Sequence, residues 1–313
     1  MSGGTAPAPA ACDALVVGGG PAGLTAAIYL ARFHLTTVVV DAGRSRASTI
    51  PRTRNHAGYP GGVAGADLVA AMRAQAAGQG ARLVVGHVET LAQDDDGFVA
   101  TWDGGTLRAA AVVLATGVVN RRPPIDDALH DAALAAGALR YCPVCDGFEV
   151  TDARVAVLGT GEHGVREALF LRSYTADLTL IAPDGPHALD AGERARLAEA
   201  GIAAVDGPAR GYRLVDGGLA LTAGEGAREL TFASLYPALG SHIRSGLAAS
   251  LGAATADAGC VTVDDHQRTT VPGLYAAGDV VVGLDQISHA MGEGGVAATT
   301  LRNDLAERRR LWR

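Results

Sequence analysis

Short, almost wholly apolar runs recur along the chain: residues 14–17 (ALVV), 37–41 (TVVVD), 111–117 (AVVLATG), 154–158 (RVAVL), 177–181 (DLTLI) and 273–279 (GLYAAGD). Runs this short, with no polar alternation and with glycine or aspartate at their ends, predict strands buried on both faces of a parallel sheet. Between them, LTAAIYLARF at 24–33 and VREALFLRSY at 165–174 carry helical apolar spacing, and a further helix is predicted from about Ser288 to Ala306. The segment around Asp94-Asp95-Asp96-Gly97 and Asp103-Gly104-Gly105 reads differently, as short alternating strands joined by hairpin turns.

Two of the buried runs lead directly into glycine motifs. Gly18-Gly19-Gly20-Pro21-Ala22-Gly23 lies between strand and helix, and the next strand ends in Asp41. Gly18 permits the tight turn, Gly20 lets backbone approach a pyrophosphate, and Gly23 lets helix pack on strand; Asp41 is placed to accept from ribose hydroxyls. The same unit recurs at Gly159-Thr160-Gly161-Glu162-His163-Gly164, between the strand at 154–158 and the helix after it. Two such units predict an α/β protein with two Rossmann-like dinucleotide-binding domains.

Composition narrows the chemistry. The 313 residues suit two domains, and 48% hydrophobic against 19% charged residues excludes wholesale disorder. Glycine, at 42 residues, is abundant enough for a chain of tight βα turns. The net charge of -7 gives no basic surplus for nucleic acid. All 26 basic residues are arginine, so no lysine is present for a Schiff base or a P-loop. No run of 18 apolar residues exists to span a membrane. Residues 1–11 read as a frayed tail on a cytoplasmic protein, and 307–310 as the solvated end of the last helix.

Four cysteines are too few for a disulfide scaffold, but Cys142 and Cys145 form a Cys-x-x-Cys pair. Their spacing allows a disulfide where the segment begins a helix, whose N-terminal end would favour a thiolate at the first cysteine. Pro143 suits a first-turn position, and Asp146 is placed to pass a proton to or from a leaving thiolate. A metal site would need two further ligands, and no second pair of cysteines or histidines supplies them. Cys12 and Cys260 have no partner pattern and are expected to be packing residues, Cys260 in an apolar strand context.

GGGPAGL (18–24), NHAGYPGG (55–62), ATG (115–117), CPVCDG (142–147), the second glycine motif and GLYAAGDV (273–280) occur in an order that resembles the low-molecular-weight thioredoxin reductases. The resemblance spans residues 13 to 306. It implies a three-layer ββα-type FAD domain from residues 13–118 and 240–313, and an inserted NAD(P)H-type domain at 119–239 carrying the cysteine pair. Residues 1–12 would be a disordered tail and the protein a homodimer. It further implies that Cys145 faces the flavin and forms a charge-transfer or adduct state, while Cys142 attacks the partner disulfide and Asp146 serves as acid/base. Gly18, Gly20, Pro21, Ala22, Gly23, Asp41, Asn55, Ala115, Gly117, Gly278, Asp279, Gln286 and Ile287 would line the FAD site; Gly159, Gly161 and Gly164 would line the second dinucleotide site.

The chain departs from that group in two places. The usual Arg-Gln-Ala is here Asp285-Gln286-Ile287, with His289 close by, either a general base beside the flavin or dithiol or a histidine bonded in the helix start. The stretch that holds the 2′-phosphate of NADPH with arginines is here Ala182-Pro183-Asp184, and Asp184 would repel a phosphate. Gly164, where NADP-preferring sites often have alanine, points the same way. The expected activity is an FAD-dependent dithiol/disulfide oxidoreductase acting on a thioredoxin-like protein or a small-molecule dithiol or disulfide, with NADPH disfavoured. The alternatives are an oxygen-dependent dithiol oxidase, a ferredoxin- or flavin-linked reductase, or a flavin-bound redox sensor without turnover.

Overall fold

The computed structural model describes residues 11–311. Its larger sheet has seven strands, in the order Arg82–Val85, Thr37–Asp41, Ala11–Val17, Gly105–Leu114, Gly97–Trp102 and Val88–Asp94, with Leu274–Ala276 also paired to Gly105–Leu114. The pairings among Arg82–Val85, Thr37–Asp41, Ala11–Val17, Gly105–Leu114 and Leu274–Ala276 are parallel. Val88–Asp94, Gly97–Trp102 and the first half of Gly105–Leu114 form an antiparallel meander, with turns at both predicted hairpins.

Strand periodicity explains why the parallel strands contain almost no polar residues. Ala14 and Val16 join the core under the helices Pro21–Arg32, Gly65–Gly78 and Ile287–Arg308, while Leu15 and Val17 join the core under the meander. Val39 and Val113 follow the first pair; Val38, Val40, Val112 and Leu114 follow the second. A strand with a core on each side cannot alternate polar with apolar.

The second sheet repeats the arrangement with four parallel strands, in the order Ala203–Val205, Leu178–Ile181, Val155–Leu158 and Ser234–Pro237. Val155 and Val157 pack toward the helix Gly161–Leu171. Ala156 and Leu158 pack toward a three-stranded antiparallel sheet of Arg210–Val215, Gly218–Ala223 and Arg228–Phe232. The chain passes between the two halves twice, at Val118–Asn120 and Ser241–Ile243, and these strands pair antiparallel with each other.

Some local expectations are corrected. The first strand begins at Ala11, so Ala11 and Cys12 are sheet residues rather than tail; residues 1–10 lie outside the described residues. Cys12 packs under the meander, and burial pushes its thiol up to about 12. Cys260 lies next to an isolated bridge at Val261 rather than in a strand. The last helix runs over Ile287–Arg308, and the Arg309 guanidinium beyond it pairs with Asp13 instead of being merely solvated.

Candidate active site

The cysteine pair sits at a helix start, as its spacing suggests. Cys142 is the N-cap of the helix Pro143–Asp146, with Pro143 in the first turn. The two cysteines form a disulfide, with Cα atoms 5.2 Å apart. The helix is only four residues long, so its macrodipole is slight. The backbone N–H of Cys145 is shared, donating to the Cys142 carbonyl at 2.9 Å and to Cys142 Sγ at 3.1 Å.

Asp146 at the end of this helix is held on both oxygens. Arg140 Nη1 donates to Oδ2 at 3.0 Å, and the fully buried Tyr236 donates its hydroxyl to Oδ1 at 2.9 Å. Burial pushes the Asp146 carboxyl above its ordinary value, while Arg140 and Tyr236 pull it part of the way back. Such a group retains a proton more readily than a surface carboxylate does.

Cys142, Cys145 and Asp146 line a cavity of about 700 Å³ that reaches the first glycine motif. Gly18, Gly20, Pro21, Ala22 and Asp41 line it, as do Ala115, Gly117, Gly278 and Asp279. Asn55, Gln286 and Ile287 lie where it meets the sulfurs. Gly23 is not on its wall. A Cβ there would stand 2.0 Å from the Gly18 carbonyl oxygen, and one at Gly18 would stand 2.2 Å from that of Ala115. These glycines set the close approach of helix and strands.

The residues present fit a flavin dinucleotide. The helix Pro21–Arg32 has no side-chain cap, so its N-terminal N–H groups are left for an anion in the adjoining cavity. The cavity volume is in the range of small-molecule and cofactor sites. Asp41 Oδ1 accepts from Gly19 N at 3.0 Å, and its Oδ2 is held by Arg73 at 2.7 Å.

Sequence reasoning overlooked four side chains here. Arg46 Nη1 bridges Asp279 Oδ2 at 2.9 Å and Asp285 Oδ2 at 2.8 Å. Arg73, Arg140 and Tyr236 orient acids that the sequence did single out. Arg46 is 233 residues from Asp279, so no local pattern signals the pair. An arginine two residues before a cysteine pair was the one visible hint of Arg140.

His289 does not reach the sulfurs. Its Nε2 lies 2.9 Å from Glu293 Oε1 one turn further along the same helix, and it is not on the cavity wall. Gly159, Gly161 and Gly164 belong to the other half, at the turn between the strand Val155–Leu158 and the helix Gly161–Leu171. The loop after the strand Leu178–Ile181 packs over that turn. Ala188 N donates to Thr160 Oγ1 at 2.9 Å, His187 Nδ1 lies 3.3 Å from the same oxygen, and His187 Nε2 lies 3.2 Å from the Leu180 carbonyl.

A disulfide facing a glycine-motif cavity, with a second strand–turn–helix unit inserted, decides the family. The match to the pyridine nucleotide-disulphide oxidoreductase model covers residues 12–294. The chain belongs to this family. It is 31% identical to the thioredoxin reductase of Treponema pallidum, over 91% of this chain and 94% of that one. It is 28% identical to the thioredoxin reductase of Listeria monocytogenes, over 94% of each. The crystal structure of HlmI superposes with a TM-score of 0.86 at 28% identity, covering 97% of this chain and 95% of that one. The chain is therefore a disulfide oxidoreductase of the thioredoxin reductase type, with Cys142 and Cys145 as its redox pair.

Proposed function

We propose that the protein exchanges electrons between FAD, the Cys142–Cys145 pair and the dithiol or disulfide of a thioredoxin-like protein or a small molecule. The observation that carries this reading is the position of both sulfurs on the cavity that begins at Gly18 and Gly20. Bound there, FAD would supply a two-electron acceptor or donor for the pair. In this reading the FAD domain begins with the strand at Ala11, runs to residue 118 and resumes at 240, and the inserted domain is residues 119–239.

The residues divide the work as follows. A substrate thiolate attacks Cys142 Sγ, the bond to Cys145 breaks, and Cys145 leaves with the electron pair. A second substrate thiol displaces Cys142 and releases the oxidised substrate. Asp146, whose carboxyl burial shifts upward and which Arg140 and Tyr236 steer, exchanges the proton at the cysteines. In the opposite direction the same steps reduce a disulfide.

NADPH is a poor donor in this reading. Ala182-Pro183-Asp184 offers no guanidinium to a 2′-phosphate, and Arg172, just past the end of the helix Gly161–Leu171, donates instead to the Ala200 carbonyl at 2.8 Å. The loop after the strand Leu178–Ile181 also engages the Thr160 hydroxyl of the second glycine motif. These observations favour, as a second reading, a dithiol oxidase that passes electrons to oxygen. The protein would act in the cytoplasm, where free dithiols persist. It would act as a homodimer, for which Tyr29 and Phe33 offer an exposed, edge-packed aromatic pair on the helix Pro21–Arg32.

Anaerobic titration of the purified flavoprotein with NADPH, NADH and a dithiol, followed at the flavin absorbance band, tests the proposal. Bleaching by dithiol, lost in Cys142→Ser, is expected. A protein that takes up no flavin, or whose flavin no dithiol or disulfide couple can reduce or reoxidise, overturns it.

A further inference from the structure

Gln286 stands at the N-cap of the helix Ile287–Arg308, yet its side chain makes no cap hydrogen bond. It turns to the disulfide instead. Its Nε2 lies 3.4 Å from Cys142 Sγ and 3.3 Å from Cys145 Sγ, while its other hydrogen serves the Asp285 carbonyl at 2.9 Å. Oxygen and nitrogen of this amide are told apart by their partners. Asn55 Nδ2 donates to Gln286 Oε1 at 3.0 Å, and Asn55 is itself oriented by Thr53, whose hydroxyl donates to Asn55 Oδ1 at 2.9 Å. The chain of donors therefore runs in one direction, from Thr53 through Asn55 and Gln286 to the sulfurs.

The two sulfurs are not served alike. Cys142 Sγ has the Cys145 backbone N–H as well, whereas among the described residues Gln286 is the one donor at Cys145 Sγ. We infer that the Gln286 carboxamide is a catalytic residue that receives the charge developing on Cys145 when the disulfide opens, and that Asn55 is the positioning residue that aims it. Resting on the disulfide-exchange reading above, the step balances as follows. One substrate thiolate bonds to Cys142 Sγ, and the S–S electron pair departs on Cys145. The second substrate thiol then closes the substrate disulfide and frees Cys142. Two electrons pass from substrate to the pair; of the two substrate protons, one ends on Cys142 and one in solvent. A disulfide sulfur is a feeble acceptor and a thiolate a strong one, so the Gln286 N–H tightens its hold as the bond breaks.

The surrounding charges are already committed. Asp146 is held by Arg140 and Tyr236, Glu149 by Arg54, and Asp285 by Arg46, while His56 Nδ1 lies against Ser288 Oγ. None of these side-chain pairs includes Gln286.

The test measures alkylation of Cys145 by iodoacetamide against pH in the flavin-loaded Cys142→Ser protein, read peptide by peptide so that Cys12 and Cys260 do not interfere. Gln286→Leu should move the midpoint up by about half to one pH unit, slowing the reaction at neutral pH roughly three- to tenfold. Gln286→Glu, which places an acceptor where the donor stood, should slow it further. Asn55→Ala should slow it less than Gln286→Leu and add little when combined with it. A purely space-filling role would make the Gln286→Leu and Gln286→Glu proteins equivalent. Equal midpoints with and without Gln286→Leu, or for the two Gln286 variants, overturn the inference. If Gln286→Leu does not fold, Asn55→Ala on its exposed loop decides the matter by the same midpoint. An unaltered protein whose pair exchanges with dithiols but whose variants titrate alike refutes this role alone. A pair inert to every dithiol refutes the oxidoreductase reading.

Discussion

Glu167, on the inner side of the helix Gly161–Leu171, has Oε1 buried with no hydrogen-bond partner, and burial pushes its carboxyl up to about 7. Below its ordinary value of 4.5 the group is neutral folded or unfolded, and its ionisation makes no difference to stability. Between there and about 7 the unfolded chain ionises while the folded one stays neutral, so stability falls as pH rises, by about 3 kcal/mol in all. Glu167→Gln cannot ionise. Its stability relative to the parent should climb between pH 5 and pH 8 in denaturant unfolding, and parallel curves would refute the account. At the sulfurs, Cys142→Ser should leave a Cys145 thiolate and a broad long-wavelength absorbance in the flavin-loaded protein, and Cys145→Ser should not. Identical spectra for the two variants from pH 6 to 9 would undo this division of roles between the cysteines. Residues whose partners are close in sequence were legible before the fold was known: the glycines and the cysteine pair carry their signal in their neighbours. Arg46, Arg73 and Tyr236 were not, because each acts on a carboxylate brought to it by the whole fold.

The helix pair Pro21–Arg32 and Ile287–Arg308 shows what an element needs in order to build the cavity floor. Gly294 of the second helix lies so close to the first that a Cβ would stand 2.2 Å from the Ala22 carbonyl oxygen. Gly294→Ala should therefore destabilise by about 1–3 kcal/mol and loosen flavin binding beside Gly278, measured by unfolding and by flavin release. Gly292, two residues away on the exposed side, has nothing near its absent Cβ. There the same substitution should stabilise by about 0.5–1 kcal/mol through helix propensity alone. Opposite signs at neighbouring glycines in unfolding curves are the expected result, and equal shifts would mean that the helix contact is not tight. The strands were legible because a core on both faces writes an unbroken apolar run. Helix starts were placed less well: the helix at 161 begins inside the glycine motif, where capping and turn residues hide the periodicity.

Across the whole molecule, two copies of one strand–turn–helix device have diverged in what they can hold. The first opens onto the cavity, and the second has its Thr160 hydroxyl engaged by the chain itself. Loss of two charge-assisted bonds and gain of a carboxylate at Asp184 should weaken a 2′-phosphate by about 3 kcal/mol, roughly a hundredfold. Stopped-flow reduction should be no faster with NADPH than with NADH. Full bleaching by micromolar NADPH within a second would show that other arginines had rebuilt the clamp. The duplication was legible from glycine spacing, while the loop over the second copy was not, because it depends on a histidine and an alanine with no motif of their own.

The paired crossing strands make the inserted half a removable cassette. Val118 faces Ile243 in the ladder, and Arg244 N donates to the Gly117 carbonyl at 3.0 Å, so the chain leaves the larger sheet and returns to it at one place. Cutting out residues 118–243, which takes both crossing strands along with the inserted domain, leaves ends already side by side, which a short glycine turn can join without dragging any strand of the seven-stranded sheet from its register. The excised piece likewise has neighbouring ends. The whole covalent join between the two pieces is a pair of adjacent peptide bonds, at 117–118 and 243–244.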